Sequence, residues 1–107
     1  MSDGTYALVG TVWTHQEKNA NNEMVDVVSI VLDEPVDYTF KYRGNPNSTG
    51  TAYEVALANS KTDDYDKWRA YAGKHIAVGC EGLQMAYYDA SLLNVDAFAI
   101  GNIWLLE

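Results

Sequence analysis

Apolar positions along the chain fall into short β-rich runs set apart by polar segments. Residues 5–14 carry Tyr6, Leu8, Val9, Val12 and Trp13 in a run that Gly10 interrupts, which predicts a strand with a bulge or bend. Residues 15–23, with His15, Asn19, Asn21 and Asn22, are polar and predict a loop or hairpin tip. Residues 24–32 hold Val25, Val27, Val28, Ile30, Val31 and Leu32, the densest β-branched run, and Asp33-Glu34-Pro35 is expected to end it. Val36, Tyr38, Phe40 and Tyr42 then alternate with Asp37, Thr39, Lys41 and Arg43. That period of two predicts a strand with one apolar and one polar face. Residues 44–50 are rich in Gly, Asn and Pro and predict a loop, and Ala52, Tyr53, Val55, Ala56 and Leu57 a further strand.

The period changes after residue 59. Tyr65, Trp68 and Ala72 lie three and four apart, a helical stripe. Thr62, Asp63 and Asp64 supply candidate caps and acids for the helix start, while Lys67, Arg69 and Lys74 gather toward its end. Gly73 suits a left-handed stop, so the helix is expected over about residues 64–72. Residues 75–80 form a strand closed by Gly79 and Gly82, with a continuation over 83–88 after a bulge and a turn at 89–94. The last strand covers 95–105, bent at Gly101.

Strands, one helix, then two more strands predict a mostly β chain: a five-stranded OB-like barrel with one short helix between strands 3 and 4, as a single domain over residues 1–107. Glycines within strands suit the sharp coiling of a small barrel. A β-sandwich or another small barrel ranks second, because a sandwich usually lacks an isolated helix at that point.

Composition narrows the partners. Fifteen acidic against seven basic residues give a formal charge of −8, spread along the whole chain. Such a surface opposes the phosphate contacts on which nucleic-acid binding rests, and adsorption to anionic membranes. The single cysteine, Cys80, sits in an apolar run; one cysteine allows no internal disulfide or zinc cluster. No stretch is apolar enough for a membrane-spanning helix. Met1-Ser2-Asp3 lacks the basic and apolar regions of a signal peptide, so export would need a segment upstream and the compartment stays open.

The run Val31-Leu32-Asp33-Glu34-Pro35, followed by Tyr65, Trp68, Gly73, Lys74, Ile76, Val78 and Gly79, resembles small bacterial OB-fold domains of unknown function. Those domains carry an L-D-x-P strand end and a G-K-x-[IV]-x-V-x-G helix-to-strand element. Here Gly79 follows Val78 directly, one place early. The similarity covers about residues 28–83; it implies the fold and frequent export in bacteria, and carries over no catalytic residues.

No catalytic pattern stands out. His15 and His75 lie in no HxH or HExxH spacing, and no serine has an elbow-like glycine context. Asp63, Asp64 and Asp66 lack the central glycine and distal glutamate of a calcium loop, so capping explains them better. Neither metal nor cofactor is expected. The alternating aromatic strand is the candidate ligand site: Tyr38, Phe40 and Tyr42 either pack in the core or, with Lys41 and Arg43 beside them, form an exposed stacking platform. The expectation is a non-enzymatic OB-like binding domain, monomeric or dimeric, for which protein or carbohydrate is favoured over nucleic acid. The alternative is an acidic inhibitor of the anti-defence type that covers a basic protein surface.

Overall fold

A computed structural model describes residues 5–18, 22–42, 44–85 and 97–106. Five strands and one helix are present: β1 Tyr6–Lys18, β2 Met24–Tyr42, β3 Asn45–Asn59, α1 Tyr65–Arg69, β4 His75–Met85 and β5 Ala97–Leu105. The strands form one closed sheet in the order β1-β2-β3-β5-β4, with β4 paired back to β1. All neighbours are antiparallel except β3 and β5, which run parallel. The mostly β class and the helix between the third and fourth strands are as the sequence pattern implies.

Closure depends on β1 serving two partners. Residues 6–11 pair with β4, whereas residues 10–18 pair with β2. Gly10 lies in both ladders, where the strand changes partners. A Cβ there would stand 2.0 Å from the Val31 carbonyl oxygen, so only glycine lets the two backbones approach this closely. The expected bulge is absent: the ladder to β4 runs through Gly10 without a register shift, and the ladder to β2 begins there.

Strand extends into two expected loops and through one expected strand end. β1 continues through His15, Gln16, Glu17 and Lys18, and β3 begins at Asn45. Asp33-Glu34-Pro35 does not end a strand: β2 runs on to Tyr42, merging two expected strands into one. The register passes from Val31↔Glu54 to Val36↔Ala52, so residues 32–35 stand opposite Tyr53 alone. Unpaired positions of this bulge need no backbone N–H, which is why Pro35 is tolerated mid-strand.

The helix is shorter than expected, and Thr62 does not cap it. Thr62 Oγ1 accepts from Asn59 N and donates to Asn59 O, closing the turn after β3, while Asp64 at the N-cap makes no side-chain cap bond. Trp68 is the buried anchor of α1, with Tyr65 and Tyr71 at its margin, whereas Ala72 is exposed. Gly73 stops the segment at φ 83, as the sequence implies. Its N–H donates to Val12 O and Val12 N donates to Lys74 O, which ties the end of the helical segment to the middle of β1.

Side chains on one face of every strand meet in a single core that includes Leu8, Val12, Val28, Ile30, Val55 and Trp68. Cys80 is fully buried there, and burial pushes its thiol up to about 11. The expected turn at 89–94 and the extension of β4 beyond Met85 lie outside the described residues.

Candidate functional site

Tyr38 and Phe40 point into the core, at 4% and 7% exposure, with ring centroids 5.5 Å apart and tilted by 37°. Val28, Ile30, Tyr38 and Phe40 all stand at even positions of β2 and belong to one core, so these rings join the residues of the valine run there rather than being displaced by them. Neither offers a face for stacking, so of the two readings left open for Tyr38 and Phe40, packing in the core is the one that describes them. The side chains of Tyr42 and Lys41, and Arg43, lie outside the described residues.

The opposite face of the sheet carries the polar constellation that the pattern did not reveal. Trp13, His15 and Glu17 alternate with Val12 along β1, so they point away from the core. Ser29 of β2 is the Cα partner of Trp13, and Glu54 of β3 lies one strand further. The Trp13 and His15 rings stack with centroids 4.1 Å apart at 14°. Trp13 Nε1 donates to Glu54 Oε2 at 2.9 Å, and Ser29 Oγ donates to the same oxygen at 2.5 Å. His15 Nε2 lies 3.1 Å from Ser29 Oγ and 3.3 Å from Glu54 Oε2, while His15 Nδ1 lies 3.0 Å from Glu17 Oε1.

Every polar atom of this group has a partner: His15 Nδ1 faces Glu17, and Nε2 faces the Ser29–Glu54 pair in a role set by the tautomer. Such saturation matters, since Ser29 is fully buried and Glu17 only 7% exposed, and an unpaired polar group there would cost about 1–3 kcal/mol. Among the described residues no buried side-chain nitrogen or oxygen lacks a partner.

Glu17, His15 and Ser29 stand in the order of a nucleophile relay, a carboxylate holding an imidazole that faces a hydroxyl. Two features oppose that chemistry at Ser29. Its proton is directed at Glu54 rather than at His15, and its oxygen has no route to a substrate because the residue is fully buried. The network also has a mechanical consequence. It fixes Trp13, 42% exposed, by one edge and one face.

Around this tryptophan the surface is apolar and acidic. Val31, 43% exposed, is its diagonal neighbour on the same face, and Tyr53, beside Glu54 in β3, is 59% exposed. Val25, Val27 and Ala56, with Phe98 of β5, form a second small apolar cluster on this outer side. The other histidine, His75, pairs with Asp33 at 2.6 Å in an exposed contact. Among the described residues no group of His, Cys, Asp and Glu could hold a metal ion.

The sequence placed His15 beside a loop and so missed the site. Its signal was the continued period of two through Trp13, His15 and Glu17, together with the serine that interrupts the valine run of β2. The chain matches no protein-family model and no curated protein.

Proposed function

We propose that this chain is a non-enzymatic binding module of the OB type, whose ligand face is the outer surface of β1, β2 and β3 around Trp13. Support for the OB assignment comes from the strand order, the parallel β3–β5 contact, the helix between β3 and β4, and a long β1 shared between two ladders. OB folds commonly bind on the face around their second and third strands, which is where Ser29, Val31 and Glu54 lie.

The observation that carries the reading is a half-exposed tryptophan held by His15 and Glu54, which Glu17 and Ser29 hold in turn. An exposed aromatic ring is a weak ligand surface when it must be ordered on binding; here that ordering is already present in the fold. Tryptophan is also the residue type most often found to dominate protein interfaces, and its ring stacks on flat apolar surfaces. Glu17 and Glu54 beside it repel phosphate, which favours a protein or carbohydrate ligand over nucleic acid.

A glycan array and a displayed-peptide library, each probed with the intact chain and with Trp13→Ala, test the proposal. Expected is a ligand whose affinity falls at least about tenfold in the variant while its melting temperature holds within a few degrees. A ligand bound equally by both proteins would overturn the placement of the site.

One observation favours the acidic-inhibitor reading as a second possibility. Asp33, Glu34 and Asp37 are exposed along β2 and line two clefts, of about 350 and 600 Å³, opposite the first residues of β1. Capture of a basic protein that weakens steeply as salt rises, and that Glu34→Gln with Asp37→Asn abolishes, would place the contact there instead.

A further inference from the structure

The smaller cleft, which Glu34 lines, stands at the far end of the row of side chains that carries Trp13. Ala7, Val9, Thr11 and Trp13 alternate with buried Leu8, Gly10 and Val12 along β1, so they form one solvent-facing line. Thr11 stands between its Cα partners, Val31 of β2 and His75 of β4. Val9, Val31 and Trp13 are exposed along this line. Beyond Val9, a cleft of about 350 Å³ is lined by Ala7 and Val9 on one side and by residues 33–36 of β2 on the other. At the ~3.3 Å rise of a strand, Ala7 and Trp13 stand ~20 Å apart along β1.

The cleft has two kinds of wall. Ala7, Val9, Pro35 and Val36 are apolar, whereas Asp33 and Glu34 bring carboxylates to its rim. Asp33 Oδ2 meets His75 Nε2 at 2.6 Å, and Glu34 is exposed beside it. Apolar walls under an acidic rim complement a side chain with an aliphatic stem and a cationic head, which is the build of Lys and Arg. The net charge of −8 favours the approach of the same class of ligand. The row is also narrow, one strand flanked by Val31. Strands lie ~4.8 Å apart, so it matches an extended chain better than a helix, whose side chains sweep a diameter of ~10 Å.

We infer that the ligand of the Trp13 face is an extended basic peptide segment lying along β1. An apolar side chain of that segment rests against Trp13, and a Lys or Arg about four to six residues away occupies the Asp33–Glu34 cleft, the spacing that the strand rise sets. The inference rests on the reading of the Trp13 face as the ligand surface, and narrows the ligand of that face to one chemical class.

A displayed library of random peptides of about ten residues, enough to exceed ~20 Å when extended, is selected on the intact chain. Enriched sequences should hold a Lys or Arg about four to six positions from an aromatic or branched aliphatic residue. One such peptide is then titrated by fluorescence polarisation. Trp13→Ala should weaken it at least about tenfold. Asp33→Asn with Glu34→Gln should weaken it about two- to fivefold, the range of an exposed ion pair. Asp37→Asn, in the other cleft, should change nothing. Norleucine in place of the peptide's cation should weaken binding to the intact chain by the same factor as the double variant does, and bring no further loss on that variant. Circular dichroism checks each fold, and the norleucine peptide tests the cation on the intact chain if the double variant does not fold. Enriched peptides without a cation, or a cation whose removal costs the same in both proteins, would overturn the inference. Binding weakened by the double variant but not by Trp13→Ala would overturn the Trp13 site itself. A library that yields no binder would rule out the peptide and leave the Trp13 face to the glycan array.

Discussion

Two aromatic pairs, each spaced two residues apart on a β-strand, are held by different physics. Tyr38 and Phe40 face inward, tilted against each other in the core. Trp13 and His15 face outward, stacked nearly parallel and pinned by Glu17, Ser29 and Glu54. The inner pair is ordered by the exclusion of water and by close packing on all sides. The outer pair has water on one side, and hydrogen bonds take over the ordering. An aromatic ring that is rigid without being buried is the arrangement a binding surface needs, and only the outer pair provides it.

The comparison breaks most sharply at Phe40. Phe40→Ala empties core volume and should cost about 3–5 kcal/mol in urea denaturation. A cost below about 1 kcal/mol would mean that the ring does not pack as its 7% exposure implies.

Glu54→Ala tests the outer pair. It removes the acceptor of both Trp13 Nε1 and Ser29 Oγ, and should cost about 2–3 kcal/mol while shifting the Trp13 fluorescence toward that of a mobile indole. Ser29→Ala on that background should recover part of the loss, since it removes one of the orphaned donors. Simple additivity in this double-mutant cycle would show that the two bonds are not one network.

Cys80 sharpens the inner side of the comparison through pH. Its thiol is raised from 9.0 to about 11 by burial, so the folded state favours the protonated form more than the unfolded chain does. That contribution is complete below pH 9 and is lost as pH climbs toward 11, on the order of 2 kcal/mol. The alkaline fall in stability should therefore be steeper in the intact chain than in Cys80→Ala. Equal slopes would contradict a thiol held neutral in the core.

Trp13→Ala carries the smallest stability effect, below about 1 kcal/mol, because the ring is 42% exposed. Its consequence should fall on ligand affinity instead. A large loss of stability would return Trp13 to the class of structural residues.

Local chemistry made the elements largely legible. The β-branched density of residues 24–32, the alternation of 36–42, the tryptophan of the helix and the stop at Gly73 act within a few residues, so a linear reading finds them. Segment ends were less legible. Pro35 resembles a strand end until the register shows a bulge around it, and residues 15–18 and 45–50 look like loops because their residues are largely polar, although the strand stays paired.

The candidate site was not legible at all, for a related reason. Its five residues come from β1, β2 and β3, up to 41 positions apart, and none forms a motif with its sequence neighbours. By itself the sequence determined the mostly β class, the position of the helix, the acidic balance and the apolar setting of the cysteine, since composition and short-range periodicity decide these. Which alternating aromatic face turns inward and which polar side chains meet on the outer surface were decided only by tertiary structure. Those depend on how five strands register and close on one another, and no local pattern specifies a distance across the sheet.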